Sequence, residues 1–197
     1  NTPGGRDCLC RERYEGDGLT CAPRQRAVDF CRIQWPENEV RNLGQAITVY
    51  GRIYEAGLTD QSTRTDPSPL LLAQAGYGPD NTNPNNNDQW NWLNADPNDG
   101  YDGAGQGNEA NNDEYQADLT PAMSGQFDLA YRFSVDAGRS WTICDRDGNE
   151  NGYQPDQAGR LTIQNVEQDE CALDLDNCHP NARCNDLADG FSCTCLD

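Results

Sequence analysis

Ten cysteines in 197 residues fall into three groups, and their spacing constrains the fold more than any other feature. Cys8, Cys10 and Cys21 crowd the start, Cys31 and Cys144 stand far apart, and Cys171, Cys178, Cys184, Cys193 and Cys195 crowd the end. The end groups leave too little chain between cysteines for a hydrophobic core, so cross-links must hold them in shape. In a Gly- and Asn-rich chain this usage reads as disulfides formed in an oxidising space. Zinc would require Cys/His clusters, and His179 is the only histidine. Asn1 to Gly5 shows neither the basic nor the apolar region of a secretory signal. That is expected if a signal was removed, or if the chain is an internal piece of a longer secreted protein, which the end groups favour.

The chain carries 33 acidic residues against 14 basic ones, a net charge of −19, and all 14 basic residues are arginine. Its 15 Leu, 5 Ile, 5 Val and 4 Phe make up only about 15% of the residues, a level at which a highly charged chain is expected to be disordered. The cysteines, four Trp and eight Tyr oppose that, because disulfides and buried rings offset a thin aliphatic core. A folded, cross-linked protein is therefore expected. The negative charge argues against nucleic acid and anionic membrane surfaces as partners, and no apolar run approaches the ~20 residues of a membrane-inserted helix.

The last cysteine group, with Asp169-Glu170-Cys171 at its head and Cys193-Thr194-Cys195 near its end, resembles the calcium-binding EGF-like family. Cys184-Asn185-Asp186, four residues, then Phe191-Ser192-Cys193 fits that family's C-x-[DN]-x4-[FY]-x-C pattern. The first group, with its Tyr14-Glu15-Gly16-Asp17-Gly18 turn before Cys21, resembles the end of the same module. Together the two matches cover about 50 residues. The resemblance implies the pairs Cys171–Cys184, Cys178–Cys193 and Cys10–Cys21, and it leaves Cys8 and Cys195 without partners. Two explanations stand open: a piece cut from a tandem array of such modules, or head-to-tail assembly in which Cys195 of one copy bonds Cys8 of the next. The resemblance also implies a Ca²⁺ site formed by the side chains of Glu167, Glu170 and Asp186 and the carbonyls of Gln168, Leu187 and Gly190. Glu167 departs from the Asp or Asn the family prefers there. Oxygen-only ligation suits Ca²⁺ better than a transition metal, and its expected role is to stiffen the joint with the preceding domain.

Residues 25–166 read as a β-sandwich. Ala46–Tyr54, Gln89–Leu93, Tyr115–Leu119, Phe127–Phe133, Trp141–Cys144 and Leu161–Ile163 alternate with period two, and the Leu70–Ala75 run is expected to be a strand as well. Turns are expected at Gly57, Pro67–Pro69, Gly76–Pro79, Ala122–Gly125 and Asp136–Gly138. About seven short strands with such turns argue a sandwich. Cys31-Arg32-Ile33-Gln34-Trp35-Pro36, Val49–Asp60, Ala75–Pro79, Asn112–Tyr115 and Tyr131–Asp145 resemble an immunoglobulin-like module of secreted bacterial multidomain proteins, a likeness that implies no established activity. The two remaining cysteines, Cys31 and Cys144, would close this block.

Between Asp80 and Glu114, 11 Asn and 6 Asp occupy nearly half the positions, a stretch expected to be solvated or organised by ions. Asp145, Asp147, Asn149 and Asn151 place oxygen side chains at every second residue, as a loop around a hard cation would. The EF-hand template fails at its twelfth position, Ala158, so such a site would need completion by Asn112, Asp113 or Asp156. The competing reading is an Asx-rich turn. Catalysis is poorly supported: the lone histidine lies in the EGF-like piece, no lysine is available for a Schiff base, and no phosphate-cradling Gly-rich loop is present.

These features predict an all-β protein in three parts. Residues 1–24 would be the end of an EGF-like module, 25–166 an immunoglobulin-like sandwich, and 167–197 a calcium-binding EGF-like module lacking its last cysteine. The expected function is that of a structural or adhesive repeat of a bacterial surface or filament protein, secreted or cell-surface, not an enzyme. Its expected partners are copies of itself or neighbouring modules. The rival is a carbohydrate-binding module of a secreted enzyme, with Trp35, Trp90, Trp92 and Trp141 offering rings to polysaccharide, although two same-face aromatics more often belong to a core.

Overall fold

Period-two alternation decides the central architecture. The structure is a computed structural model and describes residues 9–24, 26–103, 109–165, 168–187 and 190–196. Strands β3 (Phe30–Trp35), β5 (Ile47–Tyr54), β8 (Asp96–Pro97) and β9 (Asp113–Leu119) form a four-stranded sheet in the order β3-β5-β9-β8. A larger sheet contains β4 (Asn38–Asn42), β6 (Leu72–Pro79), β7 (Asn91–Asn94), β10 (Gly125–Ser134), β11 (Thr142–Cys144) and β12 (Gly159–Gln164). Its order is β4-β12-β10-β6-β7, with β11 also on β10. The ten-residue β10 pairs β12 along Gly125–Leu129 and β11 along Tyr131–Phe133, while β6 covers its opposite edge from Phe127 to Ser134.

Alternate residues of each strand face the partner sheet. Ile47, Val49 and Ile53 of β5 and Tyr115, Ala117 and Leu119 of β9 share one buried cluster with Ala73, Ala75, Leu129, Tyr131, Phe133, Leu161 and Ile163 of the larger sheet. Tyr131 lies at the centre. Its ring lies where a side chain at Gly51 would be, it stacks on Phe133 at 5.2 Å between centroids, and its hydroxyl donates to the Val49 carbonyl at 3.4 Å. The all-β, sandwich-like expectation therefore holds for the block. Cys31 and Cys144, both fully buried, join the two sheets with a Cα separation of 5.8 Å.

The strand boundaries differ from expectation in three places. The block has ten strands rather than about seven: β3, β4 and β8 were not expected, β4 being mostly polar and β8 only two residues long, whereas β3 alternates Cys31 and Ile33 inward with Arg32 and Gln34 between them. Leu70 and Leu71 lie in a buried turn, and the strand runs on through Gly76-Tyr77-Gly78-Pro79, a stretch expected to be a turn. Those glycines are strand positions overlain by tryptophan rings, as described below. The strand expected over Gln89–Leu93 starts at Asn91, leaving Trp90 in the preceding turn.

The chain divides into two compact units, Asn1–Ile163 and Gln164–Asp197. In the first, β1 (Tyr14–Gly16) and β2 (Cys21–Pro23) form a hairpin cross-linked by Cys10–Cys21, with a Cα separation of 5.6 Å. Asp17 shapes its turn by accepting the Leu19 and Thr20 amides at 2.9 and 2.7 Å. In the second unit, β13 (Ala182–Leu187) and β14 (Gly190–Cys195) pair with Cys184 opposite Cys193. Cys171–Cys184 and Cys178–Cys193 bridge this unit at Cα separations of 5.7 and 5.5 Å, within the range that unstrained disulfides span. All four expected pairs are thus at bonding distance. Among the described residues no helix is long and apolar enough to cross a membrane.

Candidate functional site

The N-terminal hairpin is held to the sandwich by a buried acid. Glu55, at the end of β5, is fully buried; Arg13 approaches its carboxylate at 2.7 Å and Arg26 at 3.1 Å. The Asp29 amide donates to its second oxygen at 3.1 Å, and the Asp29 carboxylate accepts the Ala56 amide. A buried carboxylate with two guanidinium partners and an amide is well satisfied. The brace was not foreseen, because nothing local in the sequence joins Arg13 to Glu55.

In the C-terminal unit, Gln168, Glu170, Asp186, Leu187 and Gly190 are described, whereas Glu167 lies outside the described residues. Leu187 and Gly190 face each other where β13 and β14 meet. One oxygen of Glu170, Oε2, is buried without a hydrogen-bond partner, as a carboxylate oxygen reserved for a cation would be. Cys195 is a free, exposed thiol, and Cys8 lies outside the described residues. Cys171, Asp176 and Cys184 converge closely enough to suggest a metal cluster. The two sulfurs are bonded to each other, so no thiolate is available there.

Several oxygen side chains of the Asp145–Asn151 loop are engaged by protein groups. Asp145, fully buried, accepts the amides of Asp147 at 3.2 Å and Gln154 at 2.8 Å. Asn149 turns away to β3, accepting the Cys31 amide at 2.9 Å and donating to the Val28 carbonyl at 3.1 Å. Asn151 donates to Asp147 at 3.4 Å. These hydrogen bonds form an Asx-type scaffold that holds β3 beside the Cys31–Cys144 bridge. Burial, reinforced by the neighbouring Asp147 carboxylate, pushes the Asp145 carboxyl up.

Asp113 does not complete that loop. It opens β9 in phase with Tyr115, Ala117 and Leu119, and so faces the sandwich interior. It is fully buried, and neither carboxylate oxygen has a hydrogen-bond partner. Burial pushes its carboxyl up to about 7, and the Asp66 and Asp60 carboxylates add to it.

Trp90 and Trp92 cover glycines of β6 in the larger sheet, and Trp141 lies beside Arg132 of β10. Trp90 and Trp92 stack at 5.8 Å and 24°, and a Cβ at Gly76 would stand 2.5 Å from the Trp92 ring. The Arg132 guanidinium lies 4.2 Å from the Trp92 centroid and 4.7 Å from that of Trp141, and donates to Gln74 at 2.7 Å. Trp90 also meets Tyr153 edge-on and donates from its indole to Thr82 at 3.0 Å. Trp92 is thus contacted by Trp90, Arg132 and the β6 backbone. Trp35 packs edge-on against Tyr50. Trp141 borders a shallow cleft of about 360 Å³ with Leu71, Ala73, Asn94 and Tyr115. The Asn-rich stretch is organised by protein groups: Asn83 and Asn87 accept amides two residues on, and Asp128 accepts the Asn81 amide at 2.8 Å.

No family model matches the chain, and no curated protein matches it.

Proposed function

We propose that this chain is an extracellular structural or adhesive repeat, built as a cross-linked rod segment of a bacterial surface or filament protein. The central block would be an immunoglobulin-like sandwich and the two end segments EGF-like modules. The strand orders β3-β5-β9-β8 and β4-β12-β10-β6-β7 support the first assignment, since a four-stranded sheet opposite a β12-β10-β6 core, with β4 and β7 added at its edges, resembles the two-sheet layout of that fold. In this reading Glu167, Gln168, Glu170, Asp186, Leu187 and Gly190 hold Ca²⁺ and stiffen the second unit.

The observation that carries the reading is Cys195. It is an exposed free thiol at the end of β14, in a unit whose other four cysteines are paired. Such a thiol in an oxidising space seeks a partner outside its own hairpin, and Cys8 of another copy, or a cysteine of a neighbouring module, supplies one. Copies joined this way form a chain of beads stiffened by the ion.

Electron microscopy of the purified protein with Ca²⁺ or with chelator tests this. Linear rods that become more bent in chelator support the proposal. Isolated single particles under both conditions oppose it.

A further inference from the structure

We infer that the outer face of the smaller sheet binds a neutral polysaccharide chain through Trp35, Tyr50, Gln116 and Asp96. The site goes beyond the proposed rod-building role, and neither depends on the other.

A β-bulge sets the site. Cys31 and Ile33 point inward from β3, and strict alternation would send Trp35 after them. The register instead shifts between Ile33 and Trp35: Ile33 pairs with Gly51, but Trp35 pairs with Tyr50. Gly51 faces the interior, against the Tyr131 ring, and Tyr50, its neighbour, faces outward. The bulge therefore turns the indole to the outer face. There Trp35 stays 41% exposed, its ring edge-on to Tyr50 at 6.2 Å between centroids. The backbone departs from regular pairing and places an indole in solvent, as a stacking platform requires.

The row continues across the sheet. Tyr50 lies opposite Gln116 on β9, and Gln116 lies opposite Asp96 on β8. From the ~4.8 Å spacing of strands, this row of four residues is about 14 Å long. One step along, Thr48 lies opposite Asp118 and donates to it at 2.6 Å. Thr48, Tyr50, Gln116, Asp118, Asp96 and Asn94 line a groove of about 410 Å³. The opposite step is closed. Arg52 and Glu114 are buried there, Arg52 pairing with Glu109 and Glu114 accepting from Asn98 at 2.7 Å, both partners on the β8–β9 loop. The groove thus has an aromatic end, a polar floor and one wall.

A pyranose chain presents C–H faces that stack on rings, and hydroxyls that both donate and accept hydrogen bonds. Trp35 and Tyr50 meet the first. Gln116 offers a donor and an acceptor, and the Asp96 and Asp118 carboxylates accept hydroxyls in charge-assisted bonds. Those two acids, with a net charge of −19 on the chain, repel an anionic polymer.

The test is affinity electrophoresis of the full chain, with Cys195 alkylated so that copies cannot join through it. The gels contain hydroxyethyl cellulose, arabinoxylan, galactomannan or alginate. Retardation by at least one neutral polymer, and none by the anionic alginate, is expected. Trp35→Ala should weaken binding at least about tenfold, and Gln116→Ala should weaken it with the melting temperature unchanged. If Trp35→Ala fails to fold, Asp96→Ala, at an exposed position, should weaken binding in the same direction. No retardation by any neutral polymer, equal retardation by alginate, or binding unchanged by both Gln116→Ala and Asp96→Ala would overturn the site. So would binding lost with Trp92→Ala but kept with Trp35→Ala.

Discussion

Arg13 and Glu55 are joined by an ion pair at 2.7 Å, one partner on the N-terminal hairpin and the other fully buried at the end of a sandwich strand. The hairpin is thereby part of the first compact unit rather than a separate bead. Glu55→Ala leaves Arg13 and Arg26 without that acid and opens the Asp29 turn. It is expected to cost about 2–3 kcal/mol in urea unfolding and to speed tryptic cleavage after Arg13. Unchanged cleavage would show that the hairpin is held by other contacts.

The Cys31–Cys144 bridge closes a separation of 113 residues, whereas Cys10–Cys21 closes one of 11. In the chain-entropy model the long loop is worth roughly 4–5 kcal/mol, a large share of the stability of an ordinary domain. Replacing both Cys31 and Cys144 by Ala should therefore lower the urea midpoint of the first unit far more than replacing Cys10 and Cys21. Equal effects would contradict this ordering.

Gly76 has the Trp92 ring where a Cβ would go. Gly76→Ala is expected to displace the Trp90–Trp92–Arg132 stack and to cost about 2–3 kcal/mol by overpacking. The near-UV circular dichroism of the tryptophans should fall with it. If the stack instead served a polysaccharide, Trp92→Ala would abolish sugar binding in a folded protein; with its ring contacted by Trp90, Arg132 and the β6 backbone, no such loss is expected.

Asp136 shapes the β10–β11 connection by accepting from the Ser134 hydroxyl at 2.7 Å and the Ser140 amide at 2.9 Å. Burial works to raise its carboxyl, but the Ser140 and Ser134 hydrogen bonds outweigh it and hold the group below its ordinary value. A depressed carboxylate stabilises the fold at pH above its unfolded value near 4, and that stability is lost as pH falls through the lower folded value. Asp136→Asn should therefore destabilise the protein by about 1–3 kcal/mol at pH 7, with the difference shrinking below about pH 4. Melting curves across pH 2–7 measure it; a constant difference would remove Asp136 from the acid limb.

How much of this was legible depended on distance along the chain. The alternation in Ile47-Thr48-Val49 and in Tyr115 to Leu119 announced buried strand faces, because period two is a local property. All four cysteine pairs were readable from spacing and resemblance. Gly76 and Gly78 misled because glycine marks turns more often than ring seats; the clue was a matching pair of tryptophans, Trp90 and Trp92, also two residues apart. Asn149 looked like a ligand by spacing, yet its carboxamide is committed to Cys31 and Val28, contacts made across more than a hundred residues. Asp113 carried a signal, an acid in the apolar phase of a strand, that the surrounding Asn and Asp residues obscured.

The most direct measurement is mass spectrometry of a non-reduced proteolytic digest of the native assembly, with free thiols alkylated beforehand. A peptide containing Cys195 bonded to Cys8, or to a cysteine of a neighbouring module, is the predicted result. Cys195 recovered entirely as the alkylated thiol would contradict the proposed linkage between repeats.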